Sequence, residues 1–215
     1  MTLQPKISHR LVFIRHFFKN QFQVGAILPS SAALAKGMTA YLSIKEGEIR
    51  VLEAGCGTGA FTGEIISDLR PGDSFDAVEI NPELFDCLKE KYGHQTGLHP
   101  DGVKIRFIND DIRNLPDDQL YDYIVFSLPL TNFSPLLVQE FLDKMIGLLK
   151  PGGVFSYVKY IFISRFKYVF GGSGTRKKMD SCQAVIDQFK EKYQIDQRAV
   201  LANFPPAWVY YWKKK

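Results

Sequence analysis

The residues that could do chemistry begin at Val51 to Phe61, VLEAGCGTGAF, where an acid, Glu53, precedes three glycines at Gly55, Gly57 and Gly59. Glycine permits positive φ and close backbone approach, and a helix that follows offers unpaired N–H groups. A ligand is expected on this turn. The spacing of Gly55, Gly57 and Ala60 also fits a dinucleotide fingerprint. Two further acids extend the set. Glu79 stands about 20 residues after Gly59, where a carboxylate can accept hydrogen bonds from ribose hydroxyls. Asp111, in INDDIRNLP, can accept an exocyclic adenine N–H.

These residues need elements to place them. Strands are expected at 50–54, 75–80, 103–108, 123–127 and 154–160. Helices are expected at about 60–69, 82–92, 135–149 and 180–193, with the third closed by Lys150-Pro151-Gly152-Gly153. Two β-rich pieces, 195–201 and 208–212, close the chain. Ser30 or Ser31, after Pro29, caps a helix running to about Leu42, and another helix is expected from about Ile7 to Phe22. Alternating strands and helices imply a parallel doubly wound sheet, and a terminal hairpin adds one antiparallel strand. Gly171 to Lys178, GGSGTRKK, reads as a mobile basic loop, either a solvated connector or a contact for anionic lipid headgroups.

Glu53, the glycine turn, Glu79, Asp111 and LLKPGGVF (148–155), in this order and spacing, resemble the class I S-adenosylmethionine-dependent methyltransferases. The resemblance runs from Arg50 to the C-terminus. A dinucleotide enzyme would need a second mononucleotide half, which is missing. The resemblance implies an α/β, Rossmann-like, doubly wound seven-stranded sheet with one antiparallel strand, preceded by N-terminal helices. It implies S-adenosylmethionine as cofactor and S-adenosylhomocysteine as product. It places Glu53 near the methionine amino end, Gly55, Gly57 and Gly59 around the methionine and ribose, Glu79 and Ile80 at the ribose, and Asp111 and Ile112 at adenine. Cys56 reads as a small filler, because a sulfonium needs no covalent enzyme intermediate.

Charge narrows the acceptor. The chain has 215 residues, 46% of them hydrophobic, and a net charge of +4. No acid precedes Glu46, residues 46–143 hold 19 acidic against 7 basic residues, and 144–179 hold 8 basic residues and no acid. Basic flanks around an acidic middle suit a polyanion, nucleic acid or anionic membrane, where the alternative is a mixed solvated surface. The three cysteines have no metal-ligand spacing, so no metal is expected, and a reduced cytosolic chain is. No signal peptide or membrane span is read from the sequence.

The loop after the fourth strand, FSLPLTNFSP (126–135), has Ser127 and Leu130 where adenine N-methylating enzymes carry an amide or carboxylate and a stacking aromatic. No nucleic acid is therefore expected as partner. With VGAILPSSAALAKGM (24–38) and NFPPAWVYYW (203–212), this loop resembles the bacterial phospholipid N-methyltransferases, although Ser127 replaces a common glycine. That resemblance implies methylation of phosphatidylethanolamine and its mono- and dimethyl forms toward phosphatidylcholine. The alternative is methylation of RNA, in the manner of adenine dimethylases, or of a soluble metabolite amine; a third possibility is a non-catalytic binding module. On the leading reading the carbonyls of Ser127 and Leu128, with Asn132, hold the amine. Tyr157 or Tyr160 lies beside it, and Lys159 or Arg165 takes the lipid phosphate.

The expected division is residues 1–45 as an amphipathic helix and a cap helix, and 46–215 as the methyltransferase domain. On a helical wheel, Phe13, Phe17 and Phe18 fall on one half of the first helix, and Arg15 and Lys19 on the other, with Arg10 out of register. Such a helix suits docking to an anionic membrane. The expected location is cytoplasmic, peripheral on the inner face of the cytoplasmic membrane.

Overall fold

The computed structural model describes residues 31–44, 46–98, 102–161 and 172–215. The first expected helix, with Arg10, Phe13, Arg15, Phe17, Phe18 and Lys19, lies outside the described residues, as does Arg165.

The chain forms helix α1 (Ala32–Thr39), strand β1 (Arg50–Ala54), α2 (Thr62–Asp68), β2 (Ser74–Val78), α3 (Pro82–Tyr92), β3 (Gly97–Leu98) and β4 (Lys104–Ile108). It continues through β5 (Tyr121–Phe126), α4 (Pro135–Leu148), β6 (Leu149–Tyr160), α5 (Ser173–Tyr193), β7 (Gln194–Val200) and β8 (Ala207–Lys213). The sheet order is β3-β4-β2-β1-β5-β6-β8-β7. Strands β4, β2, β1, β5 and β6 are parallel neighbours, and β8 inserts antiparallel between β6 and β7. The expected seven-stranded sheet with one antiparallel strand is thus present, and the two-residue β3 adds an antiparallel edge.

Helix starts follow local chemistry. Ser31 Oγ accepts from Leu34 N, Asn81 Oδ1 from Glu83 N, and Ser134 Oγ from Leu137 N. Pro82 and Pro135 occupy first-turn positions, where no intrahelical N–H is lost. The central strands are buried on both faces, so β5 reads YDYIVF rather than as a clean alternation. One core packs α4 and α5 on the sheet through Phe141, Leu142, Met145, Ile186 and Phe189. The other packs α1 and α2 through Leu34, Met38 and Ile65.

Helix α1 is tied to the sheet by its last carbonyls. Tyr123 Oη and Ser156 Oγ both donate to Met38 O, at 2.7 and 2.9 Å, and Tyr211 Oη donates to Gly37 O. These donors serve backbone acceptors that a helix end leaves without intrahelical partners. Residues 31–44 are thereby built into the same core as the sheet.

Two expectations are corrected. Ser173 to Lys178 are not a loop but the first turns of α5. The segment Leu149 to Gly153 does not lie outside the sheet, because β6 begins at Leu149, which pairs with Tyr121 before a register shift.

Candidate functional site

The parallel strands deliver their C-terminal ends to one edge of the sheet, where α/β folds bind ligands. Gly55 closes β1 there with φ of 76°, and its amide and that of Cys56 donate to Val78 O at the end of β2. Gly57 and Gly59 are also left-handed, at 57° and 86°. Glu79 follows β2 and is 1% exposed. Its Oε2 accepts from Gly57 N at 2.9 Å, its Oε1 from Asn81 N at 2.8 Å, and Asn109 Nδ2 donates to its carbonyl. Burial pushes its carboxyl above the usual range, while the Asn81, Gly57 and Ile80 amides oppose this.

An open, shallow cavity lies between these turns, lined by Gly55, Val78, Glu79, Ile80, Asp110, Asp111, Ile112, Leu128, Phe133 and Phe141. Five of the eight sequence-assigned cofactor residues, Gly55, Glu79, Ile80, Asp111 and Ile112, meet there. Gly57, Gly59 and Glu53 are not in its wall. The space above Gly59 is filled by Tyr92, whose Cε2 would stand 2.5 Å from a Cβ at that position. Above Gly57 nothing lies within 4 Å, so that part of the turn is an open cradle.

Glu53 is fully buried beneath the turn. Its Oε2 accepts from Thr62 Oγ1 at 2.5 Å, while Oε1 has no hydrogen-bond partner. Burial pushes its carboxyl up to about 8, against the Thr62 hydroxyl and the Phe61 amide, which favour the charged form. An unmatched buried carboxylate oxygen is costly and suits a cationic or water-bridged ligand. Cys56 is 2% exposed and its thiol is pushed far up by burial, so it stays protonated, as a filler should.

Asp111 caps a short 3-10 helix (Ile112–Asn114) and is clamped by Arg113. Its Oδ1 accepts from Arg113 N and Nε, and its Oδ2 from Arg113 Nη2 at 2.5 Å. Arg113 Nη1 reaches Glu140 Oε2 at 3.1 Å, and the guanidinium lies 5.7 Å from the Phe141 ring centre. An adenine N–H would share a carboxylate already fixed in place. Thr62, Arg113, Phe133 and Phe141 escaped sequence reading: each depends on a contact between separated elements, and no local spacing signals it.

The loop after β5 forms the other wall. Ser127 N donates to Ala54 O, and Ser127 Oγ is buried without a partner. Leu128 rests on Gly55, and a 3-10 turn (Leu130–Asn132) follows. Leu130 is 5% exposed, inside the core rather than presented as a platform. Helix α5 braces this loop: Lys178 Nζ donates to Asn132 O at 2.9 Å and Cys182 Sγ to Phe133 O. Lys159 projects to the same helix, donating to Gln183 Oε1 at 2.7 Å, and burial holds its ammonium below its usual range.

The two tyrosines do not converge on one acceptor. Strand alternation puts Tyr157 on the α4–α5 face, 4% exposed, stacked on Tyr210 at 4.9 Å and against Trp212. Tyr160 packs on the opposite face, with the cluster that contains α1. Tyr157 is thus a core residue of the sheet.

Among the described residues, no group of three or more His, Cys, Asp or Glu could hold a metal, and no helix is long and apolar enough to cross a membrane.

Residues 51–153 match a family described as methyltransferase domain. Malonyl-[acyl-carrier protein] O-methyltransferase 2 of Ilyobacter polytropus is 27% identical over 124 residues, 56% of this chain and 43% of that protein. Ribosomal RNA small subunit methyltransferase A of Burkholderia mallei is 32% identical over 123 residues, 57% of this chain and 43% of its own. The chain thus spans less than half the length of these curated relatives. Among solved structures, N-methyltransferase NodS of Bradyrhizobium japonicum WM9 in complex with S-adenosyl-l-homocysteine aligns with a TM-score of 0.56 and 13% identity, over 84% of this chain and 85% of that one. The sheet order and these likenesses give the Rossmann-like fold of class I methyltransferases.

Proposed function

From the premise of a class I methyltransferase fold with its cofactor turn intact, we propose that this protein is an S-adenosylmethionine-dependent N-methyltransferase acting on the amine headgroup of phosphatidylethanolamine at a membrane surface. The residues present fit the cofactor. Gly55 and the open cradle at Gly57 receive the amino-acid part, and the Glu53 Oε1 atom without a partner faces the need of an ammonium, directly or through one water. Glu79 and Ile80 sit at the ribose. Asp111, held by Arg113, and Ile112 sit at adenine, with Phe133 and Phe141 as apolar walls. When bound, the cofactor supplies a methyl group activated by a sulfonium.

The chain's own residues handle the acceptor. A phospholipid amine is mostly protonated at neutral pH, and only its neutral form attacks. Leu128, in the cavity wall, makes the acceptor side apolar, which lowers the amine's pKa by desolvation. The carbonyls of Ser127 and Leu128, with Asn132, orient its N–H groups, and Ser127 Oγ has no other partner. Lys159 neutralises the lipid phosphate, a role for which Arg165 is the alternative.

The observation that carries the choice of acceptor is the Lys178 ammonium on Asn132 O: a cationic helix start braces an apolar acceptor loop that offers no exposed ring at Leu130. This suits an amine carrying a phosphate better than a stacked base. A second reading, RNA methylation, draws on the likeness to ribosomal RNA small subunit methyltransferase A. The test is a titration of phosphatidylethanolamine vesicles with wild type and Lys159→Ala. The variant should need about tenfold more lipid for half-maximal rate and bind cofactor unchanged; an unchanged lipid dependence removes Lys159 from the site.

A further inference from the structure

We propose that the β7–β8 turn is an interfacial anchor, in which Leu201 and Phe204 enter the headgroup region of an anionic lipid surface and aim the ligand edge of the sheet at it. The proposal rests on the lipid-acceptor reading and adds to it the surface that meets the membrane.

Topology places the turn. Strand β7 is antiparallel to β8, which is antiparallel to β6, so β7 ends on the same edge as β1, β5 and β6. The turn between Val200 and Ala207 therefore stands beyond Tyr160, at the edge where the cofactor cavity opens. Leu201 is 73% exposed and Phe204 is 78% exposed. Their exposure does not come from a slack loop. Asn203, between them, is 4% exposed and pins the turn on both sides: Oδ1 accepts from Ser31 N at 2.9 Å and Nδ2 donates to Pro205 O at 2.7 Å. A turn held by a buried amide while its apolar neighbours face outward is arranged to present them.

The distribution of other groups agrees. Of the five large apolar side chains exposed among the described residues, three stand at this edge: Leu201, Phe204 and Leu136, which opens α4, while Ile195 lies at the far end of β7. Charge supplies the complement. Helix α5 returns from this edge to the start of β7, so its first turns, with Arg176, Lys177 and Lys178, stand there too, and no acid occupies the first turn. Lys178 is engaged on Asn132 O, and Arg176 and Lys177 add exposed positive charge beside it. Apolar side chains beside cations are what an anionic bilayer surface takes up.

The experiment uses the full chain and the Leu201→Ser, Phe204→Ser double variant. Co-sedimentation is measured with vesicles of phosphatidylethanolamine mixed with phosphatidylglycerol, and with vesicles of phosphatidylcholine alone. Thermal midpoint and turnover of a short-chain, monomeric phosphatidylethanolamine are measured in parallel. The wild type should bind the anionic vesicles, and the variant should bind them at least tenfold more weakly, with midpoint and monomeric turnover unchanged. Equal binding by both proteins overturns the anchor. So does a lowered midpoint in the variant, which would mean that the two side chains pack within the chain, and so does wild-type binding to RNA but not to vesicles. Vesicle binding that depends on the turn, without any lipid methylation, would retain the anchor and discard the acceptor. Lipid methylation with turn-independent binding would do the reverse.

Discussion

Leu128 rests on Gly55: a Cβ built on the glycine would stand 2.3 Å from Leu128 Cδ2. The loop after β5 and the glycine turn are thus in direct contact. Gly55→Ala meets this contact and also a φ of 76°, which an L side chain rarely adopts. It should destabilise the protein by about 1–3 kcal/mol and weaken cofactor binding at least about tenfold. Shortening the neighbour in a Gly55→Ala, Leu128→Ala double variant relieves the contact but not the backbone, so cofactor affinity should recover only in part. Denaturant melts and calorimetric titration read both effects, and full recovery would show that φ contributes nothing.

Glu53 makes stability depend on pH. Burial raises its carboxyl from 4.5 to about 8, so between those values the folded chain keeps a proton that the unfolded chain has lost. Stability of the cofactor-free protein should then fall as pH rises through that window and level off above it. Glu79, also raised by burial, acts in the same direction. At roughly 1.4 kcal/mol per pKa unit the effect of Glu53 is on the order of a few kcal/mol. Glu53→Gln should flatten much of the slope between pH 5 and pH 8 in denaturant melts; an unchanged slope would mean that the carboxyl titrates normally.

Arg113 positions Asp111 through its backbone amide, Nε and Nη2. Arg113→Ala should leave Asp111 mobile and raise the cofactor dissociation constant about tenfold. Glu140→Gln, on the far side of the same guanidinium, should change it less than about threefold. If both variants bind cofactor as the wild type does, the clamp serves the fold alone.

Much of this arrangement was legible in the sequence because it rests on local rules. Strand β1 and helix α3 fall where they were expected, since a buried apolar run and an Asn81–Pro82 start are local signals. Glu79 and Asp111 reach one cavity because a parallel sheet brings successive strand ends together. The misreadings came from tertiary contacts. Glycine and serine at 172–174 suggest a loop, yet the burial of Met179 and the Lys178 bond to Asn132 continue α5 through this stretch. Gly59 looks like part of a ligand cradle, but its open face is taken by Tyr92, more than thirty residues away. Tyr157 and Tyr160 are both polar aromatics near a strand end, and only the strand period shows that they face opposite ways.

The central claim is the acceptor. The most direct measurement gives the purified protein labelled S-adenosylmethionine in one mixture holding phosphatidylethanolamine–phosphatidylglycerol vesicles, total RNA and a pool of small primary amines, and follows where the label goes. Label in mono-, di- and trimethylated phosphatidylethanolamine, with RNA and small amines unlabelled, is the predicted result. Label in RNA or in a small amine, with the lipid unlabelled, would contradict the account.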